Sequence, residues 1–259
     1  MKINYRLGAI IALIAGVIGI VGHFFIFTNW YDVAKTAESA EPGCEILLKF
    51  IMPALADFGL LGSVLFLVSA YGFFTASGWA FPMSVAGIVL ALQGSWFLNV
   101  PFMAADLPPV YFTLFFPYVL IYFLLMLTVG KLTWKRTLFG MVVGLTYVFT
   151  LMNGVASMSR ILTVGAPLFT LVQRLHWVSM LAFGVVTCGV LIRAKDWMRI
   201  LGLAAGLTEL VVGIPLAVAT AIQLGRFSMF ALGPIFSLAL VIVFLMPSLW
   251  QKLVQDKAE

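Results

Sequence analysis

The sequence predicts an all-α fold, a polytopic integral membrane helical bundle with about eight transmembrane helices. Of its 259 residues, 63% are hydrophobic and only 10% are charged, and the mean hydropathy is +1.12. An ordinary soluble domain is about half apolar and roughly a quarter charged. Lipid is the solvent that suits this composition, so we expect a single transmembrane domain over residues 1–259.

Eight apolar segments are long enough to cross a bilayer, whose hydrocarbon core of roughly 30 Å needs about 20 residues of helix. Their apolar runs are continuous rather than alternating, which excludes a strand-based barrel. The predicted helices are 7–28, 48–74, 79–99, 110–130, 137–157, 169–192, 200–223 and 228–250.

In the first half of the chain, polar or turn-forming segments separate the predicted helices. The first helix follows Lys2 and Arg6. Its apolar run is longer than the core of a signal peptide, so we interpret it as a retained helix. A polar loop over 29–47 precedes the second helix, a tight turn at 77–78 precedes the third, and the proline-containing stretch 100–109 precedes the fourth.

Basic connectors over 131–136 and 193–199 mark the second half and set the predicted orientation. Residues 158–168 are either a loop or part of a bent helix. With both termini cytoplasmic, most Lys and Arg residues lie on the inner side, as the positive-inside rule requires. Short loops and the absence of an Asn-X-Ser/Thr sequence favour a bacterial or archaeal plasma (inner) membrane.

A weak internal similarity raises the hypothesis of a 4+4 parallel repeat. The segment from Arg6 to His23 aligns with the segment from Arg136 to Asn153, and residues 49–59 align with 174–184. Helices one to four and five to eight would then be parallel repeats, as in some transporters. Chance matches between apolar helices that share a small alphabet are the alternative.

Two acids, Asp57 and Glu209, fall near the middle of predicted helices. Burying an ionisable side chain inside a membrane costs free energy, so each of these acids needs a functional or structural explanation. Such a carboxyl can bind a proton or a cation, and the structural alternative is a protonated acid that donates a hydrogen bond to a neighbouring helix.

Small residues indicate which way two of these polar side chains face. Glu209 shares a helix face with Gly202, Gly206 and Gly213, and a glycine face allows another helix to approach closely. We therefore expect Glu209 to point into the bundle, beside a helix broken at Pro215. The first helix repeats this small-residue pattern up to His23, which we also expect to face inward.

Further polar residues cluster at the predicted outer level of the helices. If they converge, they form a polar vestibule above the two acids; the alternative is that helix ends are polar because water and headgroups are near. The predicted substrate- or ion-binding residues are Asp57, Glu209, His23, Asn99, Asn153, Arg160, Arg174 and His176.

Several chemistries lack a signature in the sequence. It has no HExxH pair, GxSxG elbow or P-loop, and no metal-ligand spacing of Cys and His, so we assign no catalytic residue, metal or cofactor. Haem b is a minor alternative, with His23 and His176 as axial ligands. The two cysteines, Cys44 and Cys188, are too few for a disulfide framework.

The leading hypothesis is a transport protein for a small solute, a lipid or an ion, with an outward-facing polar cavity and buried acids. An intramembrane enzyme acting on a lipid or prenyl substrate is the first alternative, and a non-catalytic subunit of a membrane complex is the second. Expected partners are membrane lipid and either another membrane protein or a second copy of the chain. No basic stripe with interleaved aromatics indicates nucleic-acid binding.

Overall fold

The computed structural model describes residues 3–38, 44–164 and 167–254, and within these ranges the protein consists of helices joined by short turns, with no strand. Seven helices there are long and apolar enough to cross a membrane, and a bent helix pair near the C-terminus makes an eighth span if it is counted as one. The predicted all-α polytopic bundle is therefore confirmed, and the chain is a multi-pass membrane protein.

The chain divides into two compact units, Met1–Leu132 (unit 1) and Thr133–Glu259 (unit 2). Each unit contains four of the eight spans, counting the bent pair as one. The predicted single domain over 1–259 stays a prediction.

Unit 1 is a bundle in which consecutive spans are neighbours and the last span returns to the first. The fourth span ends in a π-helical turn over Leu125–Val129. The helices of unit 1 are α1 (Tyr5–Glu38), α2 (Cys44–Phe74), α3 (Ala80–Phe97), α4 (Asn99–Ala104) and α5 (Phe112–Leu124).

Unit 2 has the same connectivity, because α7 packs on α6, α8 on α7 and α9 on α8, while α9 also packs against α6. A 3-10 turn over Met229–Ala231 precedes α9. The helices of unit 2 are α6 (Trp134–Val164), α7 (Pro167–Arg193), α8 (Asp196–Leu224), α9 (Leu232–Leu245) and α10 (Pro247–Val254).

Small residues mark the helix faces that meet inside each unit. A side chain at Gly16 would run into Leu67 of α2, so α1 and α2 approach closely along this face. A side chain at Gly206 would run into Val241, which places the glycine face of α8 against α9. The inward direction predicted for these two faces agrees with the packing.

Two helices continue well past their predicted ends. The stretch 29–38, predicted as loop, belongs to α1, and the stretch 158–164 belongs to α6. Neither stretch contains Pro or Gly, so the helix continues after the apolar run ends. The predicted loop over 29–38 was wrong because hydropathy reports the edge of the membrane rather than the end of a helix. For 158–164, left open between a loop and a helix, the structure has the helix.

Three prolines act differently from each other. Within the predicted connector 100–109, Pro101 lies in the first turn of α4, where a missing N–H costs nothing. The predicted break at Pro215 is wrong, since α8 runs unbroken through it to Leu224. Pro247 does end a helix, because the residue before a proline avoids helical geometry.

The predicted last helix, 228–250, is consequently not continuous. Met246 is extended, with φ −104° and ψ 94°, and α10 is bent by 101° from the helical segment before it. Trp250 of α10 is buried, and its ring packs against Phe244 of α9 and Phe139 of α6.

Candidate functional site

Glu209 lies near the middle of α8, and its carboxyl is fully buried, with 0% of the side chain exposed. The glycine face of α8 turns it toward the interior of unit 2, as the sequence predicts. Ser179 of α7 donates a hydrogen bond to the carbonyl of Ala205 at 2.8 Å, which ties α7 to α8 one helical turn before Glu209.

Two side chains from neighbouring helices hold the two oxygens of this carboxyl. Asn153 of α6 donates from Nδ2 to Oε1 of Glu209 at 2.7 Å. Nδ1 of His176 on α7 lies 2.9 Å from Oε2, and a proton on Nδ1 is donated to that oxygen. Asn153 and His176 are also fully buried. We call these three residues the Glu209 triad.

Glycine backbone closes the remaining side of the carboxyl. A Cβ atom at Gly213 would stand 2.7 Å from Oε1 of Glu209, and one at Gly233 would stand 2.8 Å from the same atom. A side chain at either position would displace the carboxyl, so both glycines are needed for this close approach. The triad is thus enclosed by α6, α7, α8 and the start of α9.

Several buried polar atoms of unit 2 have no hydrogen-bond partner in the described part of the chain. Two belong to the triad itself, Oδ1 of Asn153 and Nε2 of His176, and two others are the hydroxyls of Ser157 and Ser237. Buried polar atoms are usually satisfied by protein or ordered water, so unpartnered ones mark places where a water, a proton or a ligand can be accommodated.

Unit 1 has a polar centre of a different kind. His23 of α1 is fully buried, its Nε2 packs against Gly59 of α2, and its ring lies 5.8 Å from the ring of Tyr111. Asn99 accepts a hydrogen bond from the backbone N–H of Phe112 at 3.1 Å, which fixes the segment carrying Tyr111. No described Asp or Glu bonds to these side chains.

A second polar contact ties three spans of unit 1 together. The hydroxyls of Ser63 and Tyr118 lie 3.1 Å apart, and Ser63 also donates to the carbonyl of Gly59 at 2.7 Å. A side chain at Gly19 of α1 would collide with both hydroxyls, so α1 closes over this contact.

Of the predicted site residues, the structure brings Glu209, Asn153 and His176 into direct contact. His23 and Asn99 are buried in unit 1. Arg174 is exposed and lines an open depression together with Pro167, Thr170 and Leu171. Arg160 lies on α6, within 159–166, whose side chains are outside the described ones.

Asp57 differs from the expectation of a buried acid. Its side chain is exposed at the surface of α2, whereas the neighbouring Ala56 and Gly59 face the interior of unit 1. The helix is apolar on all sides, so its sequence did not reveal which face is buried. A functional role for Asp57 stays a prediction.

Sequence reasoning did not select Gln93 or Tyr111. Gln93 is fully buried on α3, and neither atom of its amide has a partner among the described residues. The equivalence of Gln93 and Glu209 becomes visible only with the observed helix starts: Gln93 stands as far from Ala80, the first residue of α3, as Glu209 stands from Asp196, the first residue of α8. The predicted helix starts at 79 and 200 concealed it.

The geometry does not favour the haem alternative. Nε2 of His23 packs against the backbone of Gly59, which leaves no room for a haem on that side of the ring. His176 contacts Glu209 through Nδ1, so its Nε2 is the ring nitrogen that remains for an axial bond, and it is the space at His23 that the alternative lacks. No group of three or more His, Cys, Asp or Glu residues suited to a metal ion is found in the described ranges.

The fold and site together define a multi-pass α-helical membrane protein with a buried carboxyl–imidazole–amide triad. No protein-family model, curated protein or solved structure matches the chain.

Proposed function

We propose that this chain is a membrane transport protein for a small solute, a lipid or an ion, in which Glu209 binds the coupled proton or cation. The observation that carries the proposal is the fully buried carboxyl of Glu209, held by Asn153 and His176 within membrane-spanning helices. Ionisable side chains are rare inside membranes and commonly mark ion or substrate pathways.

Helix packing alone does not require an ionisable side chain at the position of Glu209. In unit 1 the corresponding helix places the neutral Gln93 in its interior, and a neutral amide avoids the cost of burying a charge. Unit 2 instead combines an acid with an imidazole, two groups that exchange protons. Unpartnered atoms of Asn153 and His176 adjoin this pair, which supports a site with a variable occupant.

The start of α7 is the level at which we place the entrance. Arg174 lines an open depression there on the exposed face of α7, while His176, two residues later, lies on the buried face of the same helix. The excess of Lys and Arg at the opposite helix ends supports cytoplasmic termini, which would put this depression on the outer face of a plasma membrane. An outward-facing entrance is part of the proposed transport function.

The test is ion movement across a reconstituted membrane. Purified protein in sealed vesicles is assayed for exchange of radioactive sodium and, separately, for proton uptake driven by a valinomycin-imposed potassium potential. We expect one of these fluxes to exceed that of empty vesicles and Glu209→Gln to lower it roughly tenfold or more, because the amide cannot take up a proton.

Asp196→Asn is the matched control. It makes the same carboxyl-to-amide change on the same helix, at an exposed residue whose only described partner is Arg199. This control should retain the wild-type flux. Equal fluxes for wild type and Glu209→Gln would remove Glu209 from the mechanism, and fluxes no greater than those of empty vesicles would reject ion transport.

One observation favours an intramembrane enzyme as a second candidate. A carboxylate that orients Nδ1 of a histidine leaves Nε2 free to act as a general base, and Nε2 of His176 is unpartnered. A lipid or prenyl substrate would have to reach that atom from the membrane. Turnover of a lipid by the purified protein, lost in His176→Asn, would establish this function instead of transport.

A further inference from the structure

We propose that the ion bound by the Glu209 triad is a proton, which enters at Nε2 of His176 and passes to Glu209, and that the site does not bind metal cations. This inference rests on the proposed transport function and names its ion. It follows from which atoms surround the carboxyl and from how little space they leave.

Nitrogen donors, rather than oxygen ligands, occupy both carboxyl oxygens. Nδ2 of Asn153 donates to Oε1 at 2.7 Å, and Nδ1 of His176 lies 2.9 Å from Oε2. Hard cations such as Ca²⁺ require about six to eight oxygen ligands, and Mg²⁺ requires near-octahedral geometry. An N–H group pointing at the carboxyl repels a cation at the position where that cation would bind.

Space around the carboxyl is limited in the same way. The Cα positions of Gly213 and Gly233 approach Oε1 so closely that even a methyl group would collide with it. A hydrated or partly hydrated cation is larger than a methyl group. A proton needs no added volume, because it binds on an atom that is already in place.

The dyad of His176 and Glu209 can move that proton through the imidazole ring. With Glu209 ionised and His176 carrying its proton on Nδ1, an incoming proton binds the lone pair of Nε2. The Nδ1 proton then transfers to Oε2 of Glu209. The products are a neutral carboxylic acid and a neutral imidazole with its proton on Nε2, so one proton is gained and the charge of the dyad changes from −1 to 0.

No other titratable group faces Glu209 among the described residues. From α6 the facing side chain is Asn153, from α7 it is His176, and from α9 the nearest atoms belong to Gly233 and Pro234, which packs beside Gly213. Within the described ranges, His176 is therefore the only ionisable partner of Glu209. Uptake of one proton by this pair removes the buried negative charge, and apolar surroundings favour the neutral product.

The experiment measures the C=O stretch of the protonated Glu209 carboxyl in the purified full-length protein by infrared difference spectroscopy, which needs no reagent to enter the site. The band is assigned by its loss in Glu209→Gln and is followed across a pH series, with and without saturating Na⁺, K⁺, Mg²⁺ or Ca²⁺. We expect the band to shrink as pH rises and to be unaffected by the cations at constant pH.

Two variants separate proton relay from simple packing. His176→Asn keeps an N–H donor near the Nδ1 position, so it should retain the wild-type midpoint of the band while it loses proton flux in the vesicle assay. His176→Ala removes the donor to the ionised carboxyl, so its midpoint should move to higher pH by about one unit or more. Proton flux retained in His176→Asn would show that the histidine only positions the carboxyl and would contradict the relay.

The outcomes distinguish this inference from the transport proposal. Loss of the protonated-carboxyl band on addition of a metal cation at constant pH overturns the proton assignment and leaves transport in place. Absence of the band at every pH also overturns the assignment, because Glu209 would then not take up a proton. A band that depends on pH, together with vesicles that carry no flux, supports the proton site and rejects ion transport.

Discussion

The two units share one connectivity and differ in the charge of their interiors. In each, consecutive spans pack together and the fourth span returns to the first. Gln93 in α3 and Glu209 in α8 occupy equivalent positions counted from the helix start, and both are fully buried. The difference teaches that this four-span arrangement tolerates either a neutral or an ionisable group at its centre.

The partners of these two side chains differ as well. Glu209 has Asn153 and His176 as donors, whereas the amide of Gln93 has no partner within the described residues. The common connectivity supports the hypothesis of two parallel repeats. Under that hypothesis, unit 1 keeps the packing of the repeat while unit 2 carries the proton chemistry.

The largest expected effect is on the packing of unit 1. A methyl group in Gly94→Ala would collide with the backbone of Gly59 and the carbonyl of Leu55, so α2 and α3 must separate. We expect a loss of about 3 kcal/mol in the free energy of unfolding, measured as a lower thermal unfolding midpoint in detergent.

Gly144→Ala in unit 2 is the control for that change. Its new methyl would meet only the Thr187 methyl, at 3.5 Å, which is ordinary van der Waals contact. Its unfolding midpoint should be unchanged or slightly higher, because alanine favours a helix more than glycine does. Equal destabilisation by the two variants would show that the close approach at Gly94 is not specific to unit 1.

The next largest effect tests whether unit 1 accepts a charge. Gln93→Glu places a carboxyl where no described donor is available, so we expect a destabilisation of about 2 kcal/mol. The loss should grow as pH rises, because the unfolded chain ionises its carboxyl more readily than the buried site does. Thermal unfolding in acidic and alkaline buffers measures it; a stable variant with no pH dependence would break the comparison between the units.

The smallest effect compares one hydroxyl pair in each unit. Ser63 and Tyr118 pair at 3.1 Å in unit 1, and Thr220 and Ser228 pair at 2.7 Å in unit 2. Double-mutant cycles with Ala, and with Phe at Tyr118, should give coupling energies of ~0.6 kcal/mol for each pair. A coupling several times larger in one unit would show that its hydrogen bonds, rather than its glycine faces, hold that unit together.

The sequence was sufficient to predict the spans and the direction of Glu209. Long apolar runs fix where helices cross a bilayer, and the glycines at Gly206 and Gly213 fix which side of α8 meets another helix. The partners of Glu209 could not be chosen in this way. Asn153 and His176 reach it because α6 and α7 both adjoin α8, and neighbour order in a bundle leaves no periodic trace in the sequence.

The predictions of side-chain exposure and of helix ends failed for related reasons. Asp57 lies on a helix that is apolar on every side, so no periodicity of polar residues indicated which face of that helix is buried. The stretch after Asn29 is polar yet helical, because leaving the hydrocarbon does not unwind a helix that lacks a breaker. These properties depend on tertiary contacts and on backbone continuity, and hydropathy measures neither of them.

We expect the bend of 101° after Leu245 to hold unit 2 at one depth in the bilayer. α10 presents Gln251 and Lys252 outward, and drawing it into hydrocarbon would strip water from both. Trp250 fastens this short helix to α6 and α9. We therefore expect α10 to act as a stop at that face of the membrane. The spans of unit 2 can tilt there, but they resist movement along the membrane normal.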